Sequence, residues 1–267
     1  MTAPGRLRRP PPTPEKHALP KVHPLHFSPL APRRTLSSHG QVVRALGSEI
    51  ISGRYPPGAN LPSEPELLTR FQISRPILRE ALKTLAAKGL VVQKTRVGTR
   101  VLDPVNWNLF DAEVLSWKAD LGIDEPFRQS LVEIRRAVEP SAAALAAQRA
   151  TPSEIEELRE CVAQMRVPGQ TAERFAVADL EFHLAVAAAS GNVLMRSLAA
   201  VIETVLVASF SRTSPVDSAE LQAQVADAHG AIVDAIARKD GPGAATAMLA
   251  VISAGDERYG TEGERRP

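Results

Sequence analysis

The fold turns on Leu61–Val101, LPSEPELLTRFQISRPILREALKTLAAKGLVVQKTRVGTRV. Ser63 and Glu66 make an S-x-x-E capping box, so a short helix is predicted to start at Ser63. Leu67, Leu68 and Phe71 share one face of that helix. Pro65 takes its second position, where a missing N–H costs little. The chain breaks at Gln72-Ile73. Ser74 is placed to cap a second helix, with Pro76 in the first turn and Leu78, Ala81, Leu82 and Leu85 at helical spacing. Gly89 stops that helix. Two β-prone pieces follow, Leu90–Gln93 and Thr99–Val101, joined by Lys94-Thr95-Arg96-Val97-Gly98.

Helix, short turn, helix and basic hairpin are the outline of a winged helix-turn-helix. The charges fit it. Arg75 and Arg79 lie one turn apart at the start of the second helix, off its apolar stripe. A recognition helix presents its N-terminal residues to base edges, and its free N–H groups favour a phosphate. Lys94, Arg96 and Arg100 on the hairpin suit backbone or minor-groove contact. The plainer alternative is a helical hairpin with a solvated basic face. Agreement of caps, stripe, hairpin and charge favours the DNA-binding reading.

Leu61-Pro62-Ser63-Glu64, Glu66-Leu67, Ser74-Arg75, Arg79-Glu80-Ala81-Leu82, Leu85, Gly89-Leu90 and Gly98-Thr99 carry a resemblance. The segment resembles the N-terminal domain of the GntR family of bacterial transcription regulators. Charge pattern and resemblance together give Ser63, Ser74, Arg75, Arg79, Lys94, Arg96, Gly98 and Thr99 as residues expected to contact a double-stranded operator. Two departures bear on the operator sequence. The family usually has a DNA-contacting Arg where this chain has Pro65, and Thr or another small polar residue where it has Pro76.

Outward from this stretch, the 267-residue chain is long enough for one large domain or two small ones. Its net charge of +2 is unevenly spread: +6 over residues 1–37, +6 over 38–102 and −10 beyond. A nucleic-acid module fused to a part that does not touch nucleic acid has this asymmetry. Nine of the 22 prolines precede Ser38, so residues 1–37 are expected to be a disordered basic tail. That tail either adds non-specific phosphate attraction or has no specific role, and its His17, His23 and His26 suggest no metal site. Ser38–Gly53 is the predicted first helix of the DNA-binding domain, 38–102. The single cysteine, Cys161, permits no internal disulfide and fits a cytoplasmic protein. No run of 18 apolar residues occurs, so neither a transmembrane helix nor a membrane partner is expected. The Arg-rich N-terminus lacks the apolar region of a secretory signal.

Residues 103–122 read as a linker helix packed between domains, dense in Trp107, Phe110, Val114, Leu115 and Trp117. Trp107, Asn108, Asp111, Val114, Leu115 and Trp117 also match a pattern in one subgroup of the family. This segment is similar to that of repressors of galactonate and related sugar-acid operons.

From 123 to 259 the pattern is helical throughout, with a disordered end expected at 260–267. The predicted helices are Glu125–Arg149, Pro152–Met165, Thr171–Ser190, Val193–Arg212, Ala219–Arg238 and Gly243–Glu257, packed as an antiparallel bundle. Asp179 and His183 are four apart and share a helix face, and His229 opens the stripe of another helix. A carboxylate with two imidazoles suits a divalent ion such as Zn²⁺, although separated histidines in a bundle are commonly plain core or surface residues.

Residues 133–140 (EIRRAVEP), Asp179 through His183 and His229 through Asp240 resemble the FCD domain of the FadR subfamily. The whole is therefore expected to be mainly α: an N-terminal winged helix-turn-helix and an FCD-like helical bundle. The resemblance implies a metal site at Asp179, His183 and His229, short of a fourth ligand because that position falls on Val251. It also implies a small carboxylate effector, such as a sugar acid, held by Arg135 with Asp179, His183 and His229. Arg135 has a competing reading as a surface ion pair with Glu139. The subgroup's pocket Trp is replaced by Ser214, which argues against galactonate itself.

These readings converge on a homodimeric repressor of a sugar-acid operon, with effector binding and dimerisation in 123–259. Two rivals stay open. One is a metal-dependent enzyme, against which stands the absence of H-E-x-x-H and G-x-S-x-G motifs. The other is a DNA-binding protein whose helical half is purely structural.

Overall fold

Val42, Val43, Leu46 and Ile50 recur at helical spacing on Ser38–Ile51 (α1), and all four are buried. In the computed structural model, which describes residues 36–94, 97–199 and 215–263, that stripe packs against Glu64–Phe71 (α2) and Arg75–Ala87 (α3). Ser37 Oγ accepts from the Gly40 N–H, so α1 is capped from within the stretch expected to be tail; residues 1–35 lie outside the described residues.

The local signals act as the sequence anticipates in most places. The Ser63 N–H and hydroxyl both donate to one Glu66 carboxylate oxygen at 2.7 Å. Gln72 takes the left-handed conformation that turns α2 away from α3, with φ of 51°. Gly89 does the same after α3, and a Cβ there would lie 2.1 Å from the Asn106 carbonyl oxygen. Ser74 differs from expectation. It occupies the N-cap position, but its side chain makes no capping hydrogen bond.

Val91–Lys94 (β1) and Gly98–Val101 (β2) pair antiparallel, Val91 opposite Val101. Residues 58–61 bond to the outer edge of β2 through Leu61 N to Thr99 O and Val101 N to Ala59 O. A helix-turn-helix core with a β-wing results.

The linker is only partly helical. Pro104–Asn106 forms a single 3-10 turn, and the helix proper is Ala112–Asp120 (α4), capped by Asp111. Trp107 and Phe110 therefore precede the helix, and Phe110 is exposed. Carboxylate acceptance from the N–H groups of Glu113 and Val114 fixes the start at Asp111, whatever the apolar count upstream.

Glu125–Arg149 (α5), Pro152–Met165 (α6), Ala172–Ala189 (α7), Ala219–Ala237 (α8) and Gly241–Gly263 (α9) build the helical half around one core of Leu158, Met165, Phe182, Ile232 and Met248. Residues 193–199 are also helical; the rest of the stretch predicted as Val193–Arg212, and Ser214, lie outside the described residues. The C-terminal expectation needs correction. α9 runs through Gly263, so residues 260–263 are helical rather than disordered. Asp256 ties α9 to α5 through Arg128, buried among its partners, and Arg136. No helix among the described residues is long and apolar enough to cross a membrane.

Candidate functional site

Two places concentrate chemistry. The first is the open face of α2, α3 and the wing. Arg75 opens α3 with its side chain 72% exposed, and its Nε lies 3.5 Å from Glu64 at the start of α2. Arg79, one turn on, is exposed, as are Ser63, Ser74, Lys94 and Gly98, and Thr99 is half-buried. Arg96 lies outside the described residues. Arg100 is turned back onto the body, its Nε donating to Gly58 O at 2.9 Å. The face therefore presents cations at the N-terminus of α3 and on the hairpin, and Pro65 on α2 is exposed.

The second place is buried. α5 supplies Arg135 and Glu139, α7 supplies Asp179 and His183, and α8 supplies His229. Four-residue spacing puts each pair on one helix face, and packing of α5 against both α7 and α8 closes the group. Phe182 stacks edge-on against both imidazoles, with centroids 5.7 and 4.9 Å away. Arg135 is 5% exposed, which corrects its reading as a surface pair: it is an ion pair with Glu139, but an interior one, at 2.5 Å.

Protonation can be argued from the partners. His229 Nδ1 lies 2.7 Å from Val225 O, an acceptor only, so Nδ1 carries the proton. His229 Nε2 then faces Asp179 Oδ1 at 3.1 Å with no hydrogen-bond partner of good geometry. Either a proton on Nε2, donated to Asp179, or a metal ion between the two resolves that contact. His183 Nε2 receives the guanidinium of Arg135 at 3.3 Å, so it too offers a lone pair. His183 Nδ1, which then carries the proton, lies 2.8 Å from Glu139 Oε2, although the two are not aligned as a hydrogen bond.

Asp179, His183 and His229 thus place one ligand atom each within 4.8 Å of one another, a group that can chelate a divalent ion. Each histidine has a carbonyl or carboxylate oxygen at Nδ1 and turns Nε2 toward Asp179, the arrangement that orients imidazoles on a metal. The donor set fits such an ion. Val251 is buried in the same helical core and offers no ligand atom. Cys161 is also in the core, where burial and acidic neighbours push its thiol up to about 12.

Burial alone would raise the Asp179 carboxyl, but His229, His183 and Arg135 outweigh it and hold the group well below its usual range. Glu139 behaves alike: burial raises it, Arg135 and His183 lower it further, and the net is downward. The unfolded chain therefore takes up protons at pH values where the folded one does not. Stability from Glu139 is complete above its ordinary 4.5 and is lost as pH falls toward about 2. Urea titrations at several pH values are expected to show stability falling through that window, and Glu139→Gln is expected to flatten the fall. A slope unchanged by the substitution would contradict this assignment.

Glu139 is the site residue that sequence reasoning missed. It was visible only as a helix-surface partner of Arg135; its two-sided contact with Arg135 and His183 depends on α7 packing over α5.

A winged helix-turn-helix with an exposed basic face, joined to a helical half with a buried Asp-His-His cluster, is the architecture of a DNA-binding regulator of transcription. Residues 39–101 match the bacterial regulatory proteins of the gntR family, and residues 130–254 match the FCD domain. The galactonate operon transcriptional repressor of Escherichia coli (strain K12) is 35% identical over 224 residues, which span 84% of this chain and 97% of that one. The HTH-type transcriptional regulator LutR of Bacillus subtilis (strain 168) is 32% identical, over 76% of this chain and 93% of its own. Among solved structures, Lar, which controls the expression of the Listeria monocytogenes agr system, covers 85% of this chain with a TM-score of 0.58 at 20% identity, a likeness of fold. The chain belongs to the GntR family of bacterial regulatory proteins and carries an FCD domain. It is a regulator rather than an enzyme, as its relatives are.

Proposed function

We propose that this protein represses an operon for sugar-acid catabolism and leaves its operator when a small carboxylate effector binds the helical half. The observation that carries the reading is a buried guanidinium, Arg135, beside a cluster of one carboxylate and two imidazoles that can hold a divalent ion. A guanidinium clamps a carboxylate, and a metal with imidazoles holds neighbouring hydroxyls. Similarity along almost the full length of a galactonate operon repressor supports the same class of ligand.

On this reading residues 38–102 contact DNA through Ser63, Ser74, Arg75, Arg79, Lys94, Arg96, Gly98 and Thr99. Residues 103–122 link this module to 123–259, which binds effector and dimerises. A two-fold protein reads two half-sites, and an effector with unequal affinity for two poses of the reading heads shifts operator binding.

The test is fluorescence anisotropy on DNA from upstream of the gene, at stated salt, with D-galactonate and other aldonates added with and without EDTA. Release by one acid is the expected result, and its loss in EDTA would bring the metal into the response. Tight, specific binding that no acid disturbs would sink the sugar-acid reading.

A further inference from the structure

Arg135 sits on the nitrogen that a metal would need. Its Nη2 is 3.3 Å from His183 Nε2, while its Nε is 2.5 Å and its Nη2 3.3 Å from the two oxygens of Glu139. All three residues are buried, so water screens none of these contacts effectively. A guanidinium in that place opposes a cation twice: it occupies the lone pair of His183, and it adds positive charge beside the cluster. Glu139 keeps it there, since a buried guanidinium without a carboxylate would be costly. Glu139 also pairs with His183 Nδ1, so one carboxylate serves both sides of the contest.

We propose that Glu139 is a built-in surrogate for the effector's carboxylate, and that Arg135 couples effector to metal by competing with the metal for His183 Nε2. This rests on the effector reading given above. A small carboxylate that draws the Arg135 fork onto itself clears His183 Nε2 and leaves Glu139 wholly to His183 Nδ1. Both changes favour a divalent cation at Asp179, His183 and His229. Carboxylate and metal then bind with positive coupling, and each raises the other's affinity by the same factor. Without carboxylate, the guanidinium holds metal affinity down.

The measurement is the Zn²⁺ dissociation constant of the full chain, by competition with a chromophoric chelator, with and without saturating D-galactonate. In the wild type, a carboxylate that engages Arg135 is expected to tighten Zn²⁺ binding roughly 5–150-fold, the usual span of coupling between sites, with galactonate as the first probe although Ser214 departs from the subgroup's pocket. Arg135→Met is expected to tighten Zn²⁺ binding at least fivefold with no carboxylate present. A residue that merely clamps the effector would leave that number unmoved. Should Arg135→Met fail to fold by circular dichroism, Arg135→Gln replaces it, because its amide still donates to Glu139; the same tightening is expected.

A folded Arg135 variant that binds Zn²⁺ no more tightly than wild type overturns the proposal. Tightening in the variant with no galactonate effect on the wild type would uphold the competition between Arg135 and metal while removing galactonate as the effector.

Discussion

Trp117→Ala is expected to lower the free energy of unfolding by about 3–5 kcal/mol, the usual cost of emptying an aromatic site in a core. Trp117 is 3% exposed although it belongs to the linker, because its indole enters the core of the DNA-binding domain. Gly47 on α1 is the residue that makes room: a Cβ there would lie 2.3 Å from the ring. Alanine would leave a void against Gly47 that backbone of this kind closes poorly. Lys88 Nζ, 5.6 Å from the ring centroid, would also lose a favourable aromatic face. Urea denaturation followed by far-UV circular dichroism measures the loss. A cost below about 1 kcal/mol would mean that α4 contributes little to this core and packs there only loosely.

The second large effect concerns DNA. Arg75→Ala is expected to weaken specific binding by about 1–3 kcal/mol per half-site, through loss of a guanidinium able to contact guanine bidentately. In a two-fold complex both half-sites suffer, for roughly 2–6 kcal/mol in total. Arg75 is well exposed and begins α3, with Glu64 near enough to orient it. Anisotropy titrations on operator and random duplex at one salt concentration separate the outcomes. Selective loss on the operator is expected. Equal weakening on both DNAs would make Arg75 a phosphate contact, and no change would remove it from the interface.

The reading head was legible because its instructions are local. Ser63 with Glu66, the prolines early in α2 and α3, and Gly89 act within a few residues of themselves. The bundle helices were legible for the same reason, from Thr151–Glu154 and the breaks between stripes. What escaped notice depends on packing between distant segments. Trp107 and Phe110 count as apolar in a helical window, yet Asp111 starts the helix after them. Gly255, Gly260 and Gly263 argue against a helix taken singly, but Asp256 anchors α9 to Arg128 and Arg136 of α5. The cluster of Asp179, His183 and His229 could be guessed from residue type and spacing; the burial of Glu139 and Arg135 beneath it could not. Lys88 carries no such local signal, as nothing nearby in the sequence announces that it will be covered.

Lys88 ends α3 with only 7% of its surface exposed, and its ammonium meets Asp111 at 2.7 Å and Glu113 at 2.8 Å. Burial disfavours that charge, but the two carboxylates more than compensate and raise its pKa. The Lys88 backbone carbonyl accepts from Asn108 as well, so the end of the reading helix is fastened to the linker by both main chain and side chain. Ions in solution screen exposed charges far better than covered ones. Added salt therefore acts unequally on the two kinds of cation in this protein. On the proposed reading, Arg75, Arg79 and Lys94 would lose attraction for DNA as ionic strength rises, while Lys88 keeps its contact with Asp111. On that reading, added salt would loosen the molecule from its DNA without loosening the joint inside it.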